Sequence, residues 1–186
     1  MYHLIRILFY IPLRIVFWFK VIDKKKLPKN NVVLVCNHTS NIDAILLALA
    51  FNRHIYFVAK KELKQNRFMK WLLTHIGVVF IDRDNVNLDD VKNMLKILKN
   101  NKVLGIFPEG TRNKEQKESL LPFKRGFESI ALKTNSPVFI TAISPKPRAF
   151  KLSKIYVGEP YYCKKEEDNI ANIRQLMIEL LNKEQK

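Results

Sequence analysis

The chain has 186 residues, a length that fits one domain with at most a short appendage. Hydrophobic residues make up 47% of the sequence, which excludes an intrinsically disordered chain, and two distant cysteines exclude a disulfide framework. Lysine plus arginine total 33 against 17 for aspartate plus glutamate, so the formal net charge is +16. A surplus of this size indicates an anionic partner: nucleic acid, an anionic membrane surface or a small phosphorylated substrate.

The first 22 residues are strongly apolar but are interrupted by Arg6, Arg14 and Lys20. The longest uncharged run is far shorter than the roughly 20 apolar residues that a membrane-spanning helix needs. On a helix these cations fall within one arc, and aliphatic and aromatic side chains cover the rest of the surface. This pattern predicts an amphipathic anchor over residues 1–26, with a helix over 1–22 that lies in the membrane interface. The alternative is a helix that packs against the core.

Residues 27–186 are predicted to form a single α/β domain, because short β-branched runs alternate with helical patterns. Near-continuous apolar strands between helices favour a largely parallel sheet flanked by helices on both faces. In such sheets, ligands bind at the carboxyl ends of the strands. The predicted strands are Val32–Cys36, His54–Ala59, Val78–Asp82, Val103–Phe107, Val138–Ile143 and Lys154–Gly158. The predicted helices are Asn41–Phe51, Gln65–Ile76, Asn87–Asn100, Gly126–Thr134 and Glu166–Leu181.

The first polar segment at a predicted strand end runs from Asn37 to Asp43 and contains His38. Ser40 and Asp43 have the spacing of a capping box, with Ser40 at the N-cap and Asp43 in the first turn. From there Asp43 is expected to reach back to one ring nitrogen of His38, which would leave the other nitrogen as a base. The alternative is that Asp43 only caps the helix and that His38 is an ordinary loop residue.

The second polar segment is Phe107-Pro108-Glu109-Gly110-Thr111-Arg112, directly after another predicted strand. Gly110 permits a tight turn, while Glu109 and Arg112 place an acceptor and a planar guanidinium beside one strand end. The alternative is a turn that carries an exposed ion pair.

Together the segments resemble the sequence blocks of the glycerolipid acyltransferase family, above all those of the 1-acylglycerol-3-phosphate (lysophosphatidate) acyltransferases. The first block is Asn37-His38 with Asp43, and the third is the complete segment 107–112. A second block matches Lys60-x-Glu62-Leu63 and Arg83, and a later one matches Phe123-Lys124-x-Gly126. Ile140 and Asn113 depart from the family, which has proline and serine there, and the first departure leaves the acyl-chain preference open.

The resemblance implies that an acyl chain passes from a thioester, on coenzyme A or acyl carrier protein, to the free hydroxyl of 1-acylglycerol 3-phosphate. It implies that His38 is the catalytic base, that Asp43 orients it, and that neither a metal nor a cofactor is needed. Other acceptors stay open: glycerol 3-phosphate, another lysophospholipid or an ornithine-type lipid. The residues expected to bind the substrate phosphate are Lys60, Arg83, Glu109, Gly110, Thr111 and Arg112.

The expected partners are the lysophospholipid acceptor, the thioester donor and an anionic membrane surface. The predicted location is the cytoplasmic face of the cell membrane, as a peripheral or monotopic protein. A basic run over 61–71 with interspersed aromatic residues predicts a second membrane-facing patch, or else a solvated helix. The remote alternative is a basic nucleic-acid-binding protein, which would have no use for His38. Residues predicted to be structural are Cys36, His54 and His75.

Overall fold

The computed structural model describes residues 10–23, 25–65, 67, 70, 73–74, 77–82, 87–115 and 119–183, with only the backbone of Lys64. Seven strands within these ranges form one sheet, in the order β1-β7-β6-β2-β5-β3-β4. They are β1 Phe19–Ile22, β2 Val32–Cys36, β3 Ile55–Lys60, β4 Val79–Ile81, β5 Val103–Ile106, β6 Val138–Ser144 and β7 Ser153–Tyr161. Strands β2 to β6 run parallel, whereas β7 is antiparallel to β6 and β1 runs with β7.

Helices cover both faces of this sheet. They are α1 Asp43–Ala50, α2 Leu88–Lys99, α3 Gly126–Thr134 and α4 Asn169–Asn182, with a short 3-10 helix at Lys61–Lys64. Residues 10–16, 67, 70 and 73–74 are also helical.

Strand β2 shows how the two faces are filled. Its alternate residues Val32, Leu34 and Cys36 pack with α1 in one buried cluster. Val33 and Val35 point to the other face and pack in a second cluster with α2, α3 and α4. Because both sides of the strand are buried, its sequence is a continuous apolar run, as expected for a central parallel strand.

The predicted single α/β domain with a largely parallel sheet is confirmed. All six predicted strands are present, and most boundaries agree within one or two residues. The largest difference is β7, which was predicted as Lys154–Gly158 and extends from Ser153 to Tyr161. Within the predicted helix Gln65–Ile76, the described residues 67, 70 and 73–74 are helical, and most of the others lie outside the described residues.

The N-terminal prediction is wrong in one respect. Residues 10–16 are helical, but Phe19–Ile22 form strand β1 instead of continuing the helix. The strand pairs with β7, and Phe19 is only 5% exposed, so Lys20 lies on an edge strand and not on a helical arc with Arg14. Residues 1–9, which include Arg6, lie outside the described residues. Within the described residues, no helix is both long enough and apolar enough to span a bilayer.

The strand directions bring several chain segments to one edge of the sheet. Strands β2 to β6 all end there, and we call it the carboxyl edge. Because β1 and β7 run the opposite way, they begin at this edge, at Phe19 and Ser153. The helical residues 10–16 therefore lead into the sheet from the side on which the polar segments lie.

Candidate active site

His38 and Asp43 are in contact at the carboxyl edge, as the sequence predicted. Strand β2 ends at Cys36, and the loop that follows carries His38 before α1 begins at Asp43. The Nδ1 atom of His38 lies 3.0 Å from Oδ2 of Asp43. The Asp43 side chain is fully buried, whereas the His38 side chain keeps 12% exposure. A buried carboxylate thus holds a ring that solvent or a substrate reaches.

The same carboxylate oxygen also organises the loop. Oδ2 of Asp43 accepts hydrogen bonds from the backbone amides of Thr39 and Ser40, each at 2.7 Å. The bond to Ser40 is half of the predicted capping box, but the other half is absent. The N-cap is Ile42, and the Ser40 hydroxyl accepts from the Ile42 amide at 3.3 Å. Asp43 therefore orders the loop before α1 and contacts the His38 ring, whereas no side chain that the structure describes caps the first turn of the helix.

The imidazole is also held across its face. The ring of His38 stacks on that of Phe107, with centroids 4.0 Å apart and planes 18° apart. Phe107 follows β5 and stacks in turn on Phe57 of β3, at 5.9 Å. With Nδ1 donating its proton to Asp43, Nε2 carries the lone pair that general-base chemistry requires.

The loop after β5 forms hydrogen bonds with both backbone groups of His38. The His38 amide donates to Oε1 of Glu109 at 2.7 Å, and its carbonyl accepts from the Asn113 amide at 2.7 Å. The other oxygen of Glu109 accepts from the Leu121 amide at 2.9 Å. Burial raises the pKa of the Glu109 carboxyl, and the bonds from Leu121 and His38 partly offset that effect.

This geometry corrects two predictions about Glu109. Its side chain is buried and both oxygens accept backbone amides, so it does not form the exposed ion pair with Arg112. Nor is it a contact for a substrate phosphate, because a buried acceptor-only carboxylate repels an anion. Its role in this structure is to position His38. The backbone partners that reveal this role are far from Glu109 in sequence, so no local pattern indicated it.

The turn at Gly110, Thr111 and Arg112 opens toward the same edge. The Gly110 amide donates to the Phe107 carbonyl at 3.0 Å, and its φ of +68° favours glycine. A side chain at Gly110 would begin 2.8 Å from Cε of Lys124, so the lysine passes close over the turn. Thr111 is exposed and Arg112 is half-buried, and no acidic side chain in the described part of the chain pairs with Arg112. The turn therefore presents a hydroxyl and two cations.

The two remaining predicted phosphate contacts lie farther along the edge. Lys60 is exposed at the end of β3, level with Ile81 at the end of β4. Two strand spacings separate β3 from β2, which places Lys60 about 10 Å along the sheet from the end of β2. Arg83 lies outside the described residues. In the same region Lys61 forms an ion pair with Asp82, so one cation of the predicted second patch is already neutralised.

Asn37 is a residue whose structural importance the sequence did not reveal. Its buried side chain accepts from the Ile143 amide at 2.8 Å and donates to the Ile143 carbonyl at 3.1 Å. The amide group thereby extends the pairing of β2 with β6 by one position and fixes the point where the His38 loop leaves the sheet. A polar side chain directly after an apolar strand was the available signal.

The cysteine and histidine predicted to be structural are so where the structure describes them. Cys36 is buried in the sheet, and burial raises the pKa of its thiol well above the ordinary value, so it is no thiolate nucleophile. His54 stacks on Tyr56 with centroids 4.3 Å apart. His75 lies outside the described residues.

The chain is similar to known lipid acyltransferases over most of its length. The sequence model of a family described as Acyltransferase matches residues 19–144. A 1-acyl-sn-glycerol-3-phosphate acyltransferase of Bacillus subtilis is 34% identical over 150 residues, covering 77% of this chain and 73% of that protein. A protein of the same description from Saccharomyces cerevisiae is 31% identical over 132 residues, which is 67% of this chain but 42% of the yeast protein.

A solved structure agrees with these sequence matches. The crystal structure of the 1-acyl-sn-glycerophosphate (LPA) acyltransferase PlsC from Thermotoga maritima superposes with a TM-score of 0.72 at 27% identity. The match covers 90% of this chain and 73% of that one. Family match, sequence identity and fold lead to one conclusion: this chain belongs to the acyltransferase family.

Proposed function

We propose that the protein transfers an acyl chain from an acyl-thioester to the free hydroxyl of 1-acylglycerol 3-phosphate, which gives phosphatidic acid. The observation that carries the proposal is an imidazole ordered by a buried carboxylate, with the half-buried Arg112 on the adjacent strand end. The reaction needs a base for an alcohol and a cation for a phosphate, and the carboxyl edge offers both. The descriptions of the Bacillus and yeast relatives support this choice of acceptor.

The chemistry follows from the state of the His38 ring. Nε2 removes the proton of the acceptor hydroxyl as its oxygen attacks the thioester carbonyl carbon. The tetrahedral intermediate collapses, the carbon–sulfur bond breaks, and the departing thiolate takes the proton back from the imidazolium. General-base assistance of this kind accelerates a reaction about 10²–10⁴-fold. Asp43 keeps the proton on Nδ1 and stabilises the transient imidazolium, as the acid does in serine hydrolase triads.

The acceptor phosphate is proposed to bind at the turn after β5. Arg112 offers a planar fork of N–H donors suited to phosphate oxygens, and the exposed Thr111 hydroxyl lies beside it. Lys124, whose chain passes over Gly110, adds a cation that the sequence analysis did not assign to the phosphate. Lys60 and Arg83 remain proposed contacts for the far side of the headgroup.

Arg112→Ala is expected to weaken use of the phosphorylated acceptor. Loss of one charge-assisted hydrogen bond costs about 1.5–3 kcal/mol, or about tenfold to a hundredfold. Steady-state kinetics should show that increase in the KM for the acceptor, with the KM for the thioester within about twofold of wild type. The control is Lys133→Ala, which removes the same charge from the exposed end of α3, away from the carboxyl edge. If Arg112→Ala raised only the KM for the thioester, the guanidinium would belong to the donor site.

An acceptor panel tests the proposed reaction directly. The purified full-length protein would be supplied with acyl-coenzyme A and with acyl carrier protein thioesters. The acceptors are 1-acylglycerol 3-phosphate, glycerol 3-phosphate, a second lysophospholipid and an ornithine-type lipid. We expect phosphatidic acid to form fastest from the first acceptor. Faster acylation of another acceptor would overturn this substrate, and no acylation together with tight nucleic-acid binding would favour the remote alternative.

The protein is proposed to act at the cytoplasmic face of the cell membrane, as a peripheral or monotopic protein. The net charge of +16 supports attraction to anionic lipid headgroups. Exposed apolar side chains on and beside the helical residues 10–16, including Ile11, Ile15 and Trp18, support contact with the bilayer interface.

A further inference from the structure

The loop between β6 and β7 presents apolar tips among cations at the carboxyl edge. It covers residues 145–152, with the sequence PKPRAFKL, and contains three cations and no acidic residue. Phe150 is 65% exposed and Leu152 is 47% exposed. An aromatic ring and a leucine two positions apart are unfavourable in water, and their exposure indicates a surface that a partner covers.

Contacts with the N-terminal segment hold the loop in this form. The Phe150 amide donates to the Val16 carbonyl at 2.7 Å, and the Ser153 amide donates to the Trp18 carbonyl at 2.9 Å. Phe150 has a φ of +57°, which is strained for a bulky residue and costs about 1 kcal/mol or more. The bond from its amide helps to fix this conformation, so the exposed position of Phe150 belongs to a defined loop structure.

The two hydrogen bonds place the segments that carry these exposed apolar side chains next to each other. We call the exposed apolar side chains of both segments the edge patch. It consists of Ile11, Ile15, Trp18, Phe150 and Leu152, all of them exposed.

The charged residues of the two segments that carry the edge patch are all positive. Residues 10–22 contain Arg14 and Lys20 and no acidic residue, and the β6–β7 loop adds Arg148 and Lys151. Arg148 and Lys151 form no ion pair with any acidic side chain of the described residues. Apolar and aromatic tips surrounded by unpaired cations are complementary to an anionic bilayer, whose headgroups are negative and whose acyl region is apolar.

We infer that the β6–β7 loop is a membrane-contacting element, with Phe150 and Leu152 inserted among anionic lipids beside the N-terminal helix. The inference rests on the proposed function, because it explains how a lipid acceptor meets His38 at a bilayer surface. The loop borders the site. Strand β6 ends beside β2, and Nζ of Lys146 donates to the carbonyl of Lys114, two residues after Arg112, at 3.4 Å. Insertion of the loop turns the carboxyl edge toward the lipid.

Vesicle sedimentation with Phe150→Ser/Leu152→Ser tests the inference. The vesicles contain phosphatidylglycerol and phosphatidylcholine, and the protein is the full chain. Burial of one phenylalanine or leucine is strongly favourable, so we expect the double variant to bind about tenfold more weakly, at an unchanged melting temperature. The control is Tyr162→Ser, because Tyr162 is 58% exposed just after the other end of β7 and should bind as wild type does. Wild-type binding by the folded double variant would overturn the inference.

A charge-reversal pair tests the electrostatic part. Lys151→Glu should weaken binding to vesicles that contain phosphatidylglycerol, and the difference from wild type should shrink in high salt. Lys165→Glu changes the net charge equally on an exposed lysine beyond the other end of β7, and should weaken binding less. Equal effects of the two substitutions would mean that binding depends only on the net charge of the protein and not on a contact between the β6–β7 loop and the membrane.

The depth to which the side chain at position 150 enters the bilayer can be measured on a variant that still binds vesicles. Phe150→Trp, in a chain whose Trp18 and Trp71 are replaced by phenylalanine, keeps an aromatic side chain at the loop tip. Lipids brominated along their acyl chains should quench its fluorescence strongly if the ring enters the bilayer. The same quenching is expected after removal of residues 1–9, because the proposed contact is made by the β6–β7 loop and does not involve that segment. Absence of quenching in the full-length bound protein would overturn the inference.

Activity separates this inference from the proposed function. The double variant should acylate a water-soluble, short-chain lysophosphatidate at the wild-type rate, but vesicle-embedded acceptor about tenfold more slowly. If wild type acylates neither acceptor, the proposed function fails, while the sedimentation result still decides the inference. If the double variant binds vesicles normally but loses activity only with acyl carrier protein donors, the patch is a protein-docking surface and the inference is wrong.

Discussion

His38→Ala should lower the turnover number at least about 100-fold while the protein stays folded. The substitution removes the base, but it leaves the backbone bonds from His38 to Glu109 and Asn113 in place. The loss of stacking between the His38 ring and Phe107 should lower the free energy of unfolding modestly. Turnover with saturating 1-acylglycerol 3-phosphate and thioester measures the first effect, and urea unfolding measures the second.

The matched control is His54→Ala, which removes an imidazole that stacks on Tyr56 and lies just before β3, at the opposite end of that strand from the carboxyl edge. It should keep turnover within about threefold of wild type. A folded His38→Ala protein with more than a tenth of wild-type turnover would remove His38 from the mechanism. The chemistry would then have to come from another group at the carboxyl edge.

The central strands could be predicted because burial on both faces leaves a strong local signature. Residues 32–36 and 138–144 are nearly continuous apolar runs, and polar loops follow them. In a parallel sheet such loops meet at one edge, so the sequence pattern predicts that His38 and Arg112 lie at the same edge.

Strand β1 could not be predicted, because its identity depends on a partner far along the chain. The sequence FKVI continues an apolar, aromatic run with a cation in it, and locally this looks like an amphipathic helix. Pairing with β7, more than 130 residues later, decides its conformation, and the helix ends before it. Tertiary context overrides local pattern most readily for such short segments.

The role of Glu109 was hidden for a different reason. A glutamate beside an arginine in a turn predicts a surface ion pair, yet the acceptors of this carboxylate are used by backbone amides of His38 and Leu121. Almost every residue has a backbone amide, so a sequence pattern does not indicate which amides a side chain binds. The same applies to the hydrogen bonds between the Asn37 side chain and Ile143.

Asp43 is predicted to serve stability and catalysis through one oxygen atom, and two substitutions separate these functions. Three donors point at Oδ2, namely Nδ1 of His38 and the amides of Thr39 and Ser40. The other oxygen, Oδ1, has no hydrogen-bond partner among the described residues. An asparagine whose carbonyl occupies the Oδ2 position therefore keeps all three bonds, loses the negative charge and places its NH2 group at the buried Oδ1 position.

Asp43→Asn should remain as stable as wild type within about 1–2 kcal/mol and lose part of its turnover. A hydrogen bond to a neutral acceptor stabilises the imidazolium about 1–2 kcal/mol less than one to a carboxylate, which slows the reaction about fivefold to thirtyfold. The loss should be smaller than that caused by His38→Ala, because the base remains present and oriented.

Asp43→Ala should fail in both respects. The Thr39 and Ser40 amides lose their acceptor, at about 1–3 kcal/mol each, so the free energy of unfolding should fall by about 2–6 kcal/mol. The His38 ring also loses the bond that fixes its tautomer, so turnover should approach that of His38→Ala. Urea titration and saturating kinetics on the same preparations give both quantities. Wild-type turnover in Asp43→Ala would leave Asp43 only the role of ordering the loop before α1. An Asp43→Asn protein as inactive as His38→Ala would instead indicate an amide turned toward Nδ1, which inverts the tautomer and disables the base.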